Sequence, residues 1–223
     1  MSSVLELDEV TDGSLGDFFG NWYGLPDRPV STRPLPGHLP PPLVNWYRLA
    51  DRWSFPLSRD HRFVPADEVA GDRIFWCSTD GDEAYAYLPT GEDPPVVERA
   101  GDGWLPTGLT LRRFLVYVAV YEAVYAPVHG LVKLAATAEE LDAVLGRLYP
   151  LEDPLWAWPD PAMRFFAGDD LLAHAEVSGG PGRLVIATRH RDALTRFDGY
   201  ALTWDWDSRR ASLHRDQGEV DPV

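Results

Sequence analysis

Apolar residues recur at helical spacing in four segments of the chain. The first segment follows Ser14, the predicted N-cap of an amphipathic helix. Its apolar stripe consists of Leu15, Phe18, Phe19, Trp22 and Tyr23. A second helix is predicted from Leu43, and a third runs from about Leu111 to Ala126 behind Thr110 as its cap. This third segment is apolar around most of its circumference, which is typical of a helix in a core.

The fourth helical segment opens with Thr137-Ala-Glu-Glu, a capping-box pattern, and is predicted to run through Leu148. Elsewhere the apolar pattern is that of strands. Residues 74–77 and 84–88 flank Asp80-Gly81, a dipeptide that favours a tight hairpin turn. Further strands are predicted after Pro95 and over 163–166, 171–177, 183–188 and 202–206. The fold class that follows is α+β, with a mainly antiparallel, twisted sheet packed against several helices.

The length of 223 residues and the distribution of these segments predict a single domain. We expect it to cover residues 13–215, between flexible tails at 1–12, which is acidic, and at 216–223. The N-terminus has neither the basic nor the apolar region of a signal peptide, and the apolar run around the third helix is interrupted by charges. The one cysteine, Cys77, lies in an apolar run, which predicts a buried, unreactive thiol. A cytoplasmic protein without membrane contact is therefore expected.

The charge is strongly negative and unevenly placed. The formal net charge is −15, which argues against direct binding to nucleic acid because phosphate recognition needs clustered Lys and Arg. Residues 66–103 hold ten acidic and two basic residues, a net charge of −8. Residues 31–65 carry a net positive charge, with five arginines against two aspartates. The sequence thus predicts one acidic surface, which would suit a positively charged partner.

Five short motifs occur in an order that resembles the SUKH superfamily. They are Leu39-Pro-Pro-Pro-Leu-Val-Asn-Trp-Tyr47, Ile74-Phe-Trp-Cys77 with Ala84-Tyr-Ala-Tyr-Leu88, Glu92-Asp-Pro-Pro-Val96, Trp104, and Leu109-Thr-Leu-Arg-Arg-Phe-Leu115. That superfamily is built around a yeast cell-wall-assembly regulator and many bacterial immunity proteins. The resemblance is carried by residues 39–126. The N-terminal helix and the strands after residue 160 do not align, and residues 50–53 depart from the small-residue turn of the family.

The resemblance implies a non-catalytic, protein-binding α+β domain. Bacterial members of the superfamily bind and neutralise toxins, so the expected partner is a toxin domain with a basic active-site cleft, such as a nuclease. An acidic face can occupy such a cleft and accelerate association with it. An intracellular regulatory or scaffold protein is the first alternative. A carbohydrate-binding module or hydrolase is the second.

The candidate partner-binding residues lie in the acidic, aromatic middle of the chain. They are Asp80, Asp82, Glu83, Tyr85, Tyr87, Glu92 and Asp93. The turn acids could be a binding surface or only a solvated loop tip. The two tyrosines share one side of a predicted strand and could be interface anchors or could pack under a helix. The last two acids could form a contact edge or could bond nearby backbone amides.

Other chemistry has weaker support in the sequence. The six histidines have no metal-binding spacing, no catalytic motif is present, and we expect neither a metal nor a cofactor. Paired acids such as Asp169-Asp170 would serve a glycosidase only at a specific separation in space. Among the nine tryptophans, four fall in helix or strand patterns and are expected in the core. These four are Trp22, Trp46, Trp76 and Trp104.

Overall fold

The computed structural model describes residues 12–71, 73–127, 129–151, 162–177, 181–200 and 203–209. The fold is α+β with antiparallel sheets, as predicted. Two sheets are present rather than one, because the chain forms two compact units. One unit ends at Glu122 and the other begins at Ala123. The predicted tails lie outside the described residues, except that Asp12 already belongs to the first helix.

The N-terminal unit begins with two helices, α1 (Asp12–Tyr23) and α2 (Pro41–Ala50). Five strands follow: β1 (His61–Phe63), β2 (Ile74–Ser78), β3 (Ala84–Tyr87), β4 (Pro95–Ala100) and β5 (Gly103–Thr110). They pair in sequence order, each antiparallel to the next. This simple order arises because each strand is joined to its neighbour by a short turn or loop, so that hairpins form locally. The helix α3 (Leu111–Tyr125) follows β5 directly.

The core of this unit is rich in aromatic rings. Phe114 of α3 is fully buried and contacts three rings of the sheet, those of Phe75, Trp76 and Tyr85, with centroids 5.7, 5.7 and 5.0 Å away. Rings at such distances in tilted or edge-on geometry add roughly 0.5–1.5 kcal/mol per pair beyond the burial of their area. The side chain of Cys77 is buried in β2, between β1 and β3, as predicted. The packing of α3 on β2 and β3 therefore fixes the hairpin that carries the candidate residues.

The C-terminal unit has a second antiparallel sheet. Its described elements are β6 (His129–Ala136), α4 (Ala138–Leu145), β7 (Tyr149–Pro150), β8 (Met163–Gly168), β9 (Leu171–Glu176), β10 (Gly182–Thr188), a 3-10 helix (Arg191–Phe197) and β11 (Trp206–Asp207). The strand order is β11-β6-β10-β9-β8-β7. The capping box of α4 is confirmed: Thr137 Oγ1 accepts from Glu140 N at 3.2 Å and Glu140 Oε2 accepts from Thr137 N at 2.7 Å. The helix ends at Leu145 because Gly146 follows as its C-cap.

One glycine of this unit is required by a close approach of backbone. Gly182 lies at an irregularity in the pairing of β10 with β6, and a Cβ atom at this position would overlap the carbonyl group of Glu176 in β9. The two chain segments can approach this closely only because residue 182 has no side chain.

Candidate functional site

The turn between β2 and β3 is an exposed acidic tip with a fixed conformation. Gly81 has a φ of +80°, and Gly81 N donates to Ser78 O at 3.1 Å, so the hairpin predicted from Asp80-Gly81 is confirmed. Asp80 Oδ1 accepts hydrogen bonds from Ser78 Oγ at 2.5 Å and from Asp82 N at 3.2 Å. The bond from Ser78 is the main reason that the pKa of Asp80 lies below its usual value. Asp80, Asp82 and Glu83 are all exposed, so three carboxylates project from an ordered turn.

Glu83 also anchors this turn to a histidine beneath it. Glu83 Oε2 lies 3.0 Å from His61 Nε2, and Asp60 Oδ2 lies 3.1 Å from the other ring nitrogen. The imidazole is buried and stacks on Trp76 with ring centroids 4.3 Å apart. Burial lowers the pKa of His61, but the hydrogen bonds and charges of Asp60 and Glu83 outweigh it, so the pKa is raised. The two carboxylates therefore favour the protonated form of the His61 ring.

The loop that presents Asp60 and His61 is fixed by a buried carboxylate. Glu122 of α3 is 1% exposed and accepts four hydrogen bonds from this loop. Its Oε1 accepts from Ser58 Oγ at 2.7 Å and from the amide of His61 at 3.1 Å. Its Oε2 accepts from the amides of Arg59 at 2.6 Å and Asp60 at 3.0 Å. The one acid of a helix whose other charged residues are confined to its first turn, four residues after the stripe position Val118, was the available signal of such a buried contact.

A tryptophan lies beside the acidic turn. Trp104 of β5 is 39% exposed, so the prediction that it belongs to the core is wrong. The reason is that β5 is an edge strand whose residues 103–106 are all exposed. The guanidinium of Arg99 lies 5.4 Å from the Trp104 ring centre and donates to Gly81 O at 3.3 Å, which joins the ring to the turn. Glu98 directly precedes Arg99 in the chain. Its partial burial and the charge of Glu83 raise the pKa of its carboxyl group.

The two tyrosines of β3 do not reach the exposed surface around the acidic turn. Tyr85 and Tyr87 are 7% and 5% exposed, and every residue of β3 is buried. Burial raises the pKa of both phenols. The packing of the Tyr85 ring against Trp76 and Phe114 favours the alternative that places them under a helix. The two rings that the sequence offered as interface anchors are therefore buried, because α3 covers one face of the strand, whereas the Trp104 ring is exposed.

Asp93 has a structural contact. Its Oδ1 accepts from Arg112 N at 2.8 Å, and Leu111 N donates to Pro94 O at 2.8 Å. This carboxylate thus caps the first turn of α3 in the place expected for Thr110, and it bonds a backbone amide as its structural alternative predicted. Glu92 is exposed on the same loop. The surface assembled by the fold, called here the acidic-Trp surface, consists of Asp80, Asp82, Glu83, Arg99 and Trp104.

Carboxylates flank the His61 ring on both sides. Both ring nitrogens face carboxylates, whereas a general base needs an unprotonated nitrogen directed at a substrate. Within the described ranges, no group of three or more His, Cys, Asp or Glu residues is arranged to hold a metal ion. None of the helices described is long and apolar enough to cross a bilayer.

Comparison with known proteins finds no match to this chain. No protein-family model matches the chain, and no curated protein or solved structure matches it either.

Proposed function

We propose that this chain is a non-catalytic protein-binding domain of the SUKH type, and that it acts in the cytoplasm as an immunity protein. Its partner would be a toxin with a basic active-site cleft, possibly a nuclease, bound through the acidic-Trp surface. The observation that carries the proposal is that surface itself: exposed carboxylates on an ordered turn, with a half-exposed tryptophan joined to them through Arg99.

The physical properties of the surface support binding to a cationic partner. An acidic patch accelerates association with a basic cleft, and a tryptophan can fill a pocket at the centre of an interface. Because Ser78, Asp80, Glu83 and His61 hold the turn by hydrogen bonds, little conformational entropy is lost when a partner binds. Preorganised charge of this kind suits an inhibitor that must bind quickly.

The test is co-expression with the protein encoded immediately beside this chain in its own genome. An immunity protein restores growth of cells that express a toxic neighbour, and the purified pair forms a complex. Association should slow by about tenfold in a variant that combines Asp80→Asn, Asp82→Lys and Glu83→Gln. Asparagine and glutamine keep oxygen acceptors for Ser78 and His61, so the turn is retained. The net charge of the turn becomes more positive by four units.

The matched control combines Glu68→Lys with Asp142→Lys, which gives the same change of net charge at exposed positions elsewhere. This control should associate at close to the wild-type rate, and the wild-type rate should fall steeply with added salt. Equal loss in both variants would reduce the effect to net charge and refute a specific acidic site. A neighbour that binds but is not toxic would favour the regulatory or scaffold alternative.

A further inference from the structure

The two carboxylates beside the His61 ring are held to different degrees. Asp60 Oδ2 lies 3.1 Å from Nδ1 of the ring and also accepts from Tyr121 Oη at 3.0 Å. The amide of Asp60 donates to Glu122, so α3 fixes both the backbone and the side chain of Asp60. Glu83 Oε2 lies 3.0 Å from Nε2, on a side chain that is 63% exposed. Among the described residues, the Glu83 carboxylate has a hydrogen bond with His61 only.

A neutral imidazole cannot donate to both carboxylates. The imidazolium has an N–H on each nitrogen, whereas the neutral ring has one N–H and one lone pair. Because a lone pair directed at a carboxylate oxygen is repelled, loss of the proton must break one of the two contacts. Glu83 can turn into solvent, since its backbone is held separately: Ser78 N donates to Glu83 O at 2.9 Å, and Glu83 N donates to Ser78 Oγ at 3.0 Å. The remaining N–H then stays with Asp60.

The charged and titratable groups around the ring come from the loop before β1, the β2–β3 turn and α3. They are Asp60, Asp80, Glu83, Tyr121 and Glu122, with Arg59 and Arg62 beside His61 in the chain and Arg99 bonded to the turn. Burial lowers the pKa of His61, but the hydrogen bonds and charges of Asp60 and Glu83 raise it above the ordinary value of 6.5. The ring therefore loses its proton as the pH rises through this higher value.

We propose that His61 is a proton-controlled anchor for Glu83: the protonated ring holds this carboxylate at the base of the acidic turn, and the neutral ring releases it. Two carboxylates and one imidazolium carry a net charge of −1, and loss of the proton leaves −2. The released Glu83 joins Asp80 and Asp82 as a contact for a cationic partner. By linkage, a partner cation that binds Glu83 favours loss of the His61 proton, so binding strengthens as the pH rises. This use of the anchor rests on the proposed function, whereas the anchor itself is a property of the free chain.

Nuclear magnetic resonance of the free chain, without any partner, tests the anchor. The Cε1–Hε1 signal of His61, assigned by its loss in His61→Asn, gives the midpoint of protonation. Three-bond couplings across the Cα–Cβ bond of Glu83 report whether one staggered rotamer or several are populated. One rotamer is expected at about pH 5.5, above the range in which carboxyl groups ordinarily titrate, and averaged couplings at about pH 9. Couplings that stay constant over this range, or that change at a midpoint different from that of His61, would overturn the proposal.

Glu83→Gln should abolish the release without loosening the turn. The amide oxygen accepts from the protonated ring, and after rotation the NH₂ group donates to the neutral ring, so the glutamine should keep one rotamer at both pH values. Asp82→Asn is the matched control, because it removes the same charge from an exposed position of the same turn and should leave the pH-dependent change of Glu83 intact. If Asp82→Asn also abolishes the change, the net charge of the turn and not His61 controls Glu83, and the proposal is wrong. Averaged couplings of the glutamine at both pH values would likewise show that the ring does not hold residue 83.

Discussion

Replacing the buried Glu122 by glutamine should strongly destabilise the N-terminal unit. The amide keeps one oxygen acceptor but presents an NH₂ group where the second carboxylate oxygen was. In either orientation of the glutamine amide, two of the four surrounding donors lose their acceptor. In one orientation, these two are the backbone amides of Arg59 and Asp60. A hydrogen bond to a charged group contributes roughly 1.5–3 kcal/mol, and local relaxation recovers part of this loss. We therefore expect a loss of about 3 kcal/mol in the free energy of unfolding.

Urea denaturation followed by circular dichroism and tryptophan fluorescence measures this loss. With a slope of about 1.5 kcal/mol/M for a unit of this size, the midpoint should fall by about 2 M. Glu68→Gln, a chemically identical change at an exposed position, should move it by less than about 0.3 M. A shift below about 0.5 M for Glu122→Gln would refute the reasoning, because it would mean that the loop amides find other acceptors.

A double-mutant cycle identifies the contact that is responsible. Ser58 Oγ donates to Glu122 Oε1, and it also accepts from Trp76 Nε1 at 3.3 Å. If the carboxylate holds the loop through this hydroxyl, Ser58→Ala and Glu122→Gln should be non-additive, with a coupling energy of about 1 kcal/mol. Strict additivity would assign the whole effect of Glu122→Gln to the backbone amides.

Three further outcomes are expected. Because the pKa of His61 is raised in the folded state, its contribution to stability is fully present below the ordinary value of 6.5 and is lost as the pH rises through the higher folded value. The difference in unfolding free energy between wild type and His61→Asn should therefore shrink above pH 6.5 in urea titrations, and a difference that is constant from pH 6 to 9 would contradict the raised pKa. Asp93→Ala should cost about 1 kcal/mol because Arg112 N loses its cap, whereas Glu92→Ala beside it should cost little in the same assay. Gly182→Ala should cost about 1–3 kcal/mol of stability because its Cβ would overlap the backbone of Glu176. Gly199→Ala, whose Cβ meets open space, should be nearly neutral. Equal thermal midpoints for the two variants would show that β9 and β10 can move apart.

Much of the fold could be predicted because its signals are local. The turn at Asp80-Gly81 and the capping box of Thr137 with Glu140 each depend on residues that are adjacent in the sequence. The strands β1 and β5 could not be predicted in this way. The first has only three residues, and the second contains Gly103, Pro106 and Gly108 on the edge of a sheet. Such strands are defined by the backbone of a neighbour and not by their own apolar pattern.

The candidate site could be predicted only in part, for a related reason. The acids of the β2–β3 turn are recognisable because a turn brings charged residues to the surface. Whether Tyr85 or Trp104 is exposed depends instead on which strand face α3 covers and which strand lies at the edge of the sheet. His61 pairs with Glu83, which is 22 positions away, and its backbone amide donates to Glu122, which is 61 positions away. Both contacts therefore depend on the tertiary fold.

The buried Cys77 gives this chain a natural reporter of hairpin opening. It is the one cysteine in the sequence, and it lies in β2, opposite Arg62 of β1 and Ala84 of β3. A thiol reagent can reach it only when the strands around it separate, so the labelling rate measures how often this hairpin opens under native conditions. A ligand held at the turn between β2 and β3 would lower that rate, and the protection could be followed by mass spectrometry without any engineered label.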